Sequence, residues 1–463
     1  MDWPQLLCQE RFGGEKILSQ AADVRTPFDS DIDRITFCGG FRRLARKTQV
    51  HPLAANDHVH NRLTHSLEVA RVGRSLGKAI GKEIKAKGQI PDGVEPGDVG
   101  TIVQAACLAH DLGNPAFGHA GEEAISQWFQ SDKGEYLADL DELYKRDIRS
   151  FDGNAQGFRM LTQTENFLYD GGLRLTYATL ATFMKYPWST RTITYGDKFG
   201  VFLTEENVLD DIANKVGLVA RGEHRWCRHP LAYLVEAADD ICYSTIDLED
   251  AVEIGALQYK TAEELLLNVF SDEQRKAIKG QLRGPDAHRV NFMRMRGPVF
   301  AELIGGAIDA FVRRYDTIMA GEMKVEELFA VLGENDVRGR IVSEGKKIGN
   351  EVIYKQRRKV ELELGCFAIM DCLLEAYCLA AHECFRSMPK EQKDRARVSW
   401  KARSIMNLLK NHVPRADNLL KGESVWTEHL CFRRMIDYLS GMTDNYASYI
   451  AGQLRGCVSI SIR

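Results

Sequence analysis

The stretch from 101 to 112, TIVQAACLAHDL, is apolar or small on nearly every side until His110 and Asp111, after which Gly113, Asn114 and Pro115 end it. A helix that is apolar all round has no face to offer to water, so it must run through the middle of a sizeable core. The chain therefore has to pack other helices around it and to bring an imidazole and a carboxylate into the interior at its end. An unpaired carboxylate taken out of water costs on the order of several kcal/mol. These two residues must therefore find a partner.

The surrounding helices are visible as a pattern. Leu63, Leu67, Ala70, Leu76 and Ala79 recur at helical spacing in one segment, and Leu231, Leu234, Val235, Ala238, Ile241 and Cys242 do so in another. The spacing predicts an all-α fold with one departure. Residues 189–203 (STRTITYGDKFGVFL) carry β-branched and aromatic side chains around Gly196-Asp197, which predicts a small β-hairpin insertion. Stretches 87–100 and 283–298 read as loops from their Gly and Pro content. The second divides a catalytic region, 1–280, from a C-terminal helical region, 281–463, that packs on it and contributes to oligomer contacts.

Composition excludes several classes. Hydrophobic residues make up 44% and charged residues 27% of the 463, the balance of a globular chain rather than a disordered or fibrous one. A net charge of -4 argues against a nucleic-acid binder held by bulk basicity, while leaving room for a local basic pocket. The N-terminus, MDWPQLLCQERFGGEK, lacks a basic region followed by an apolar run, and no stretch reads as the roughly 18 apolar residues of a membrane span. A cytoplasmic protein that engages no membrane is the expectation. The eleven cysteines form no Cys-x-x-Cys pair. Cys366, Cys372, Cys378 and Cys384 recur every six residues, which spreads them around a helix axis and predicts small buried hydrophobes rather than a metal site.

Four polar groups sit on mostly apolar helices: His65, His110, Asp111 and an aspartate of EAADDICYSTIDLED, Asp239 or its neighbour Asp240. An isolated His-Asp pair fits a hydrogen-bonded helix end, and a lone His65 fits a satisfied core histidine. Two His and two Asp on successive helical segments suit one divalent cation, Mn²⁺, Mg²⁺, Ni²⁺, Fe²⁺ or Zn²⁺, with positions open for water and a substrate oxygen. In GNPAFGHAGEEAI, His119 and Glu122 lie three apart, close enough for a carboxylate to orient an imidazole, with Glu123 as its competitor. Arg62 precedes His65 by a turn and should face the same cleft. His51, His58 and His60 lie in a polar, turn-rich stretch and read as surface or rim. The basic run KKIGNEVIYKQRRK, 346–359, reads as a solvated helix face, or in an oligomer as an arm toward a neighbouring site or an allosteric nucleotide.

RLTHSLEVAR, AHDLGNPAFGHAGE, KYPW at 185–188, EAADDICYSTIDLEDA and YLSGMTDNYA at 438–447 together resemble the deoxyguanosinetriphosphate triphosphohydrolase family of the HD-domain superfamily over nearly the whole chain. The resemblance implies an HD-domain helical fold and hydrolysis of dGTP to deoxyguanosine and tripolyphosphate, with a broader dNTP range open. It implies His65, His110, Asp111 and Asp239 as metal ligands, since the family's ligand stands four residues before a tyrosine and Tyr243 fits Asp239. Asp239, Tyr243 and Asp247 then share one helix face. It further implies His119 as the catalytic histidine with Glu122 as its partner, and phosphate contacts from Arg62, Lys185 and Tyr186. Tyr243 is assigned to phosphate or sugar packing and Asp247 to the sugar 3′-hydroxyl. Gln49 would bond that hydroxyl, while Val50 packs where a ribose 2′-hydroxyl would clash. Manganese or magnesium is the favoured metal. The resemblance also brings a homo-hexamer, an allosteric dNTP and single-stranded DNA as partners to be tested. Rival readings with the same metal set are an HD-type 5′-nucleotidase or phosphodiesterase, and a nucleotide-sensing or single-strand-binding regulator.

Overall fold

In the computed structural model, described for residues 1–14, 24–51, 56–166, 171–193, 197–324, 327–333, 335–387, 398–409 and 427–457, the central apolar helix spans Pro96–Ala109. It begins earlier than its apolar run suggests, because Pro96 is preset for the first helical turn and Asp98 accepts the Glu95 amide at 2.9 Å. The expected loop over 87–100 therefore ends at Glu95. The helix lies against Arg62–Ala86, and the contact is close because three glycines of the latter face it. A Cβ at Gly73, Gly77 or Gly81 would meet Cys107 Sγ, the Val99 carbonyl or the Pro96 carbonyl at 2.4, 2.7 and 2.2 Å. Ala232–Glu253 packs across Arg62–Ala86 as the third element.

His288–Arg313 occupies most of the second expected loop and packs on both Ala232–Glu253 and Arg62–Ala86. Gly297 and Pro298 suggested a break, but Phe292, Met295, Val299, Leu303, Ala307 and Ala310 are buried at helical spacing. Their burial outweighs one proline inside the helix. One hydrophobic core draws on residues from Trp3 to Ile353 and the other on residues from Ala116 to Ala451.

The spine of the second core is Arg357–Arg386, packed against His119–Gln130, Trp400–Leu408, Glu428–Ser440 and Asp444–Leu454. Among the described residues this is one helix long and apolar enough to cross a membrane, a candidate the chain's apolar runs did not suggest. Half of its most apolar window is buried within the fold, and Cys366, Cys378 and Cys384 are among the buried groups. All three are free thiols, as are the other cysteines.

The hairpin falls elsewhere than expected. Ala220–Gly222 and Arg225–Trp226 pair antiparallel, whereas 189–203 contains a 3₁₀ turn, Thr190–Thr192, and a parallel bridge between Ser189 and Val201. The Thr190 amide donates to the Val201 carbonyl and the Gly200 amide to the Trp188 carbonyl, at 3.2 Å each, while neighbouring hydroxyls and the Leu203 amide bond to carboxylates. Ser189 Oγ donates to Glu206, while Thr190 Oγ1 and the Leu203 amide donate to Asp147. Gly196, the expected turn residue, lies outside the described residues.

Candidate active site

The three helices converge on the polar groups. His65 stands in the first turn of Arg62–Ala86, His110 caps Pro96–Ala109, and Asp239 lies in the second turn of Ala232–Glu253. One ligand atom from each of the three lies within 4.8 Å of the others. Asp239 Oδ1 is 2.9 Å from His65 Nε2 and 3.8 Å from His110 Nε2. The His110 Nδ1–H donates to the Cys107 carbonyl at 2.7 Å, which fixes the tautomer and leaves Nε2 with its lone pair facing the cluster. Burial alone would raise the Asp239 carboxyl, but the bond from His65 and the neighbouring charges of His110 and His65 hold it well below the usual range.

Asp111 sits beside this trio. Its Oδ1 is bound by Arg62 at 2.8 Å and by Asn114 Nδ2 at 2.5 Å. Its Oδ2 is buried with no hydrogen-bond partner, 3.7 Å from His110 Nε2. An orphaned carboxylate oxygen next to two imidazoles and a second carboxylate is the mixed N/O donor set a divalent cation satisfies, so these residues fit one. Asp240 turns away and pairs with Lys346 at 2.7 Å.

The chain after the His-Asp pair is tightly constrained. A Cβ at Gly113 would lie 2.0 Å from the Gly153 carbonyl, so no larger residue fits that crossing. Phe117 and Gly118 both have left-handed φ, 64° and 58°, and a Cβ at Gly118 would meet Arg62 Nη2 at 2.7 Å. This bend delivers His119 as the first residue of His119–Gln130. Burial, and then the cations Arg62 and Lys198, lower the His119 imidazole below its ordinary value. Glu122 Oε1 accepts the Gly153 amide at 2.8 Å rather than pairing with His119, and its Oε2 lies 4.0 Å from Lys198. Burial and the nearby Asp152 push Glu122 up to about 7. Glu123 bonds Gln127 on the exposed side.

The His65, His110, Asp111 and Asp239 cluster, His119 and Glu122 open onto one cleft of about 520 Å³, also lined by Gln49, Val50, Lys185 and Tyr243. The Gln49 side-chain oxygen is buried there without a partner. Two expected contacts are not among the lining residues. Tyr186 packs its ring on Trp188 and under Arg228, and buried Asp247 accepts from the Tyr354 hydroxyl at 3.3 Å. Asn350, Tyr354 and Lys359 line the cleft of their own chain and Lys346 pairs with Asp240 and Glu327, whereas Lys347, Lys355, Arg357 and Arg358 are exposed, so the 346–359 run is a solvated face only in part. A π-helical turn, Gly349–Ile353, bends it inward, and a Cβ at Gly349 would meet the Tyr243 hydroxyl at 2.9 Å. His60 is more deeply engaged than a rim residue, bonding Asp250 at 2.7 Å and Glu68 at 3.1 Å.

Lys198, Lys359 and Glu236 belong to the site but to no recognisable spacing. Each cation of the cleft is parked on a carboxylate: Arg62 on Asp111, Lys185 on Glu236, Lys198 on Asp152 and Lys359 on Glu363. Five carboxylates line the cleft, Asp111, Glu122, Glu236, Asp239 and Glu363, against four cations, Arg62, Lys185, Lys198 and Lys359. A polyphosphate entering such a cleft needs added positive charge. Affinity for inorganic tripolyphosphate is expected to fall at least about tenfold when divalent ions are chelated, and calorimetric titration with and without Mn²⁺ measures this.

Helical architecture and a His, His-Asp, Asp cluster define an HD-type hydrolase, and the HD domain family model matches residues 62–149. A deoxyguanosinetriphosphate triphosphohydrolase-like protein of Pseudomonas aeruginosa is 42% identical over 461 residues, covering 98% of this chain and 99% of the relative. A protein of the same description from Synechocystis sp. is 35% identical, covering 98% and 99%. A deoxyguanosinetriphosphate triphosphohydrolase of Yersinia enterocolitica is 30% identical, covering 96% and 97%. The chain belongs to the deoxyguanosinetriphosphate triphosphohydrolase-like family of HD-domain hydrolases.

Proposed function

We propose that the protein hydrolyses deoxynucleoside triphosphates, dGTP among them, to the deoxynucleoside and tripolyphosphate. The observation that carries this is the single cleft uniting the His65, His110 and Asp239 cluster with His119, the cations Arg62, Lys185 and Lys198, and the Gln49–Val50 pair. His65, His110, Asp239 and the orphaned oxygen of Asp111 would hold a divalent ion, which when bound supplies Lewis-acid charge to a phosphate oxygen and acidity to water. Arg62 and Lys185 exchange their carboxylate partners for phosphate oxygens and stabilise charge there. Water oxygen bonds to the α-phosphorus, the bond from that phosphorus to the 5′-oxygen breaks, and the 5′-oxygen takes a proton.

His119 would accept the proton that the attacking water gives up as its oxygen bonds to phosphorus, and Glu122, bound by the Gly153 amide, lines the same cleft. An imidazole lowered by burial and by Arg62 and Lys198 is neutral near pH 7 and free to accept a proton. The His119→Ala variant is expected to lose turnover by about a hundredfold or more, measured as kcat with dGTP. Lys198→Ala removes a charge that disfavours the imidazolium, so His119 should titrate at higher pH. The acid limb of the kcat/KM profile is then expected to move toward neutrality, and an unmoved limb would detach His119 from it.

Gln49 would accept from the sugar 3′-hydroxyl and Val50 would crowd a 2′-hydroxyl, a reading supported by the unpartnered Gln49 oxygen in the cleft. Product analysis tests the reaction. Incubation with dGTP and Mn²⁺ should yield deoxyguanosine and tripolyphosphate, whereas orthophosphate or pyrophosphate would point to a different bond.

A further inference from the structure

One carboxylate ties together two parts of the cleft that are far apart in sequence. Asp444, buried at the start of Asp444–Leu454, accepts the Phe117 amide on Oδ1 at 2.9 Å. Its Oδ2 accepts the Thr48 amide at 2.9 Å and also the Thr48 hydroxyl. Thr48 immediately precedes Gln49 and Val50, and Phe117 stands two residues before His119. Phe117 holds a φ of 64°, which a phenylalanine keeps only when its surroundings impose it. Buried Lys47 reinforces the same junction by donating to the Asn114 carbonyl at 2.5 Å and the Ser440 carbonyl at 2.8 Å. Asn114 in turn donates to Asp111. The C-terminal helix therefore fixes the approach to the sugar pair and the bend into His119 with the two oxygens of one side chain.

We propose, on the basis of the dNTP-hydrolase reading above, that Asp444 is a positioning residue. It locks the Gln49–Val50 turn to the His119 bend, so that deoxyribose selection and turnover are set together. Both groups must meet one nucleotide at once, Val50 against the sugar and His119 beside the reacting phosphate. A displacement of about 1 Å between them costs rate without removing any contact to substrate, on the order of a hundredfold. Loss of Asp444 frees each segment to relax separately, which lowers kcat more than it raises KM and weakens rejection of a 2′-hydroxyl.

The test compares wild type with Asp444→Asn, Asp444→Ala and Thr48→Val. It reads kcat and KM for dGTP, the kcat/KM ratio of dGTP over GTP, and hydrogen exchange at the Thr48 and Phe117 amides. Asp444→Ala is expected to expose both amides, to lower kcat by about a hundredfold with KM changed by less than about tenfold, and to lower the dGTP/GTP ratio by about tenfold. Asp444→Asn, which keeps one acceptor oxygen, should fall between it and wild type. Thr48→Val should lower the ratio more than it lowers kcat. If Asp444→Ala does not fold, Asp444→Asn and Thr48→Val decide by the same readings. Exposed amides with unchanged kcat and unchanged ratio would overturn the proposal, as would a loss of kcat that only follows the folded fraction while the ratio stays constant. Wild-type turnover is read first. A wild type that leaves dGTP intact would remove the hydrolase reading, and this proposal with it, whereas an active wild type matched by its variants would remove only the role of Asp444.

Discussion

The Asp239→Asn variant is expected to lose metal-dependent turnover by roughly a thousandfold, about 4 kcal/mol of barrier, and to lose most of its stabilisation by Mn²⁺. The Asp239 carboxylate is the member of the cluster within reach of both imidazoles, 2.9 Å from His65 Nε2 and 3.8 Å from His110 Nε2. An amide in its place offers a neutral oxygen and removes a full negative charge from the donor set, weakening any divalent ion there. The neighbouring Asp240→Asn variant provides the contrast. Asp240 pairs with Lys346, and its loss should leave kcat within about tenfold while lowering thermal stability. Paired measurements of kcat at saturating Mn²⁺ and of the Mn²⁺-induced shift in Tm check both. Equal losses at the two positions would place the metal carboxylate wrongly.

The second large effect concerns the fold. Asp147, fully buried, accepts from His429 and Arg433 at 2.7 Å each and from Thr190 and the Leu203 amide at 2.7 and 2.9 Å. Arg433 is itself fully buried, and Asp147 is its carboxylate partner. The Asp147→Ala variant strands that guanidinium, and urea unfolding at pH 7 should show a loss of about 3–5 kcal/mol. The pH dependence has a definite sign. Burial opposes ionisation, but Arg433 and His429 hold the Asp147 carboxyl well below the usual range. A depressed carboxyl stabilises above its unfolded pKa and loses that contribution as pH falls toward the folded value. The gap between wild type and variant should therefore be full at neutral pH and narrow below about pH 4. A gap that widened on acidification would show that Asp147 is not the anionic partner.

Arg433 also shows what sequence patterns can and cannot convey. Nothing in CFRRMIDYLS distinguishes a guanidinium that anchors a core from one that meets substrate. The Pro96–Ala109 helix was legible because all-round apolarity admits a single environment. His65, His110 and Asp239 were legible because each interrupts an apolar helix. The choice of Asp239 over Asp240 rested on the tyrosine four residues later, and the pairing of Asp240 with Lys346 accounts for the second carboxylate.

The misplaced expectations share a cause. Residues 189–203 have strand-forming side chains, but Asp147 captures the Leu203 amide, and Ser189 meets Val201 in a parallel bridge rather than as the antiparallel arms of a hairpin. The Gly297-Pro298 pair looked like a break until the burial of Phe292, Met295 and Val299 overrode it. The run at 346–359 is solvated at Lys347, Lys355, Arg357 and Arg358, but Lys346 and Lys359 find Asp240, Glu327 and Glu363, which come from other elements or a following turn. Lys198 carries no signal of its own, since only the fold brings it beside Asp152 and Glu122. Local chemistry exposes groups that must be satisfied, while the identity of the satisfying partner depends on tertiary contacts.

Hydrolysis of dGTP in H₂¹⁸O with the Mn²⁺-loaded protein tests the central proposal most directly. Attack at the α-phosphorus with departure of the 5′-oxygen requires one ¹⁸O per turnover in the released tripolyphosphate and none in deoxyguanosine, read by mass spectrometry. Label in deoxyguanosine, or in orthophosphate or pyrophosphate released without tripolyphosphate, would contradict it.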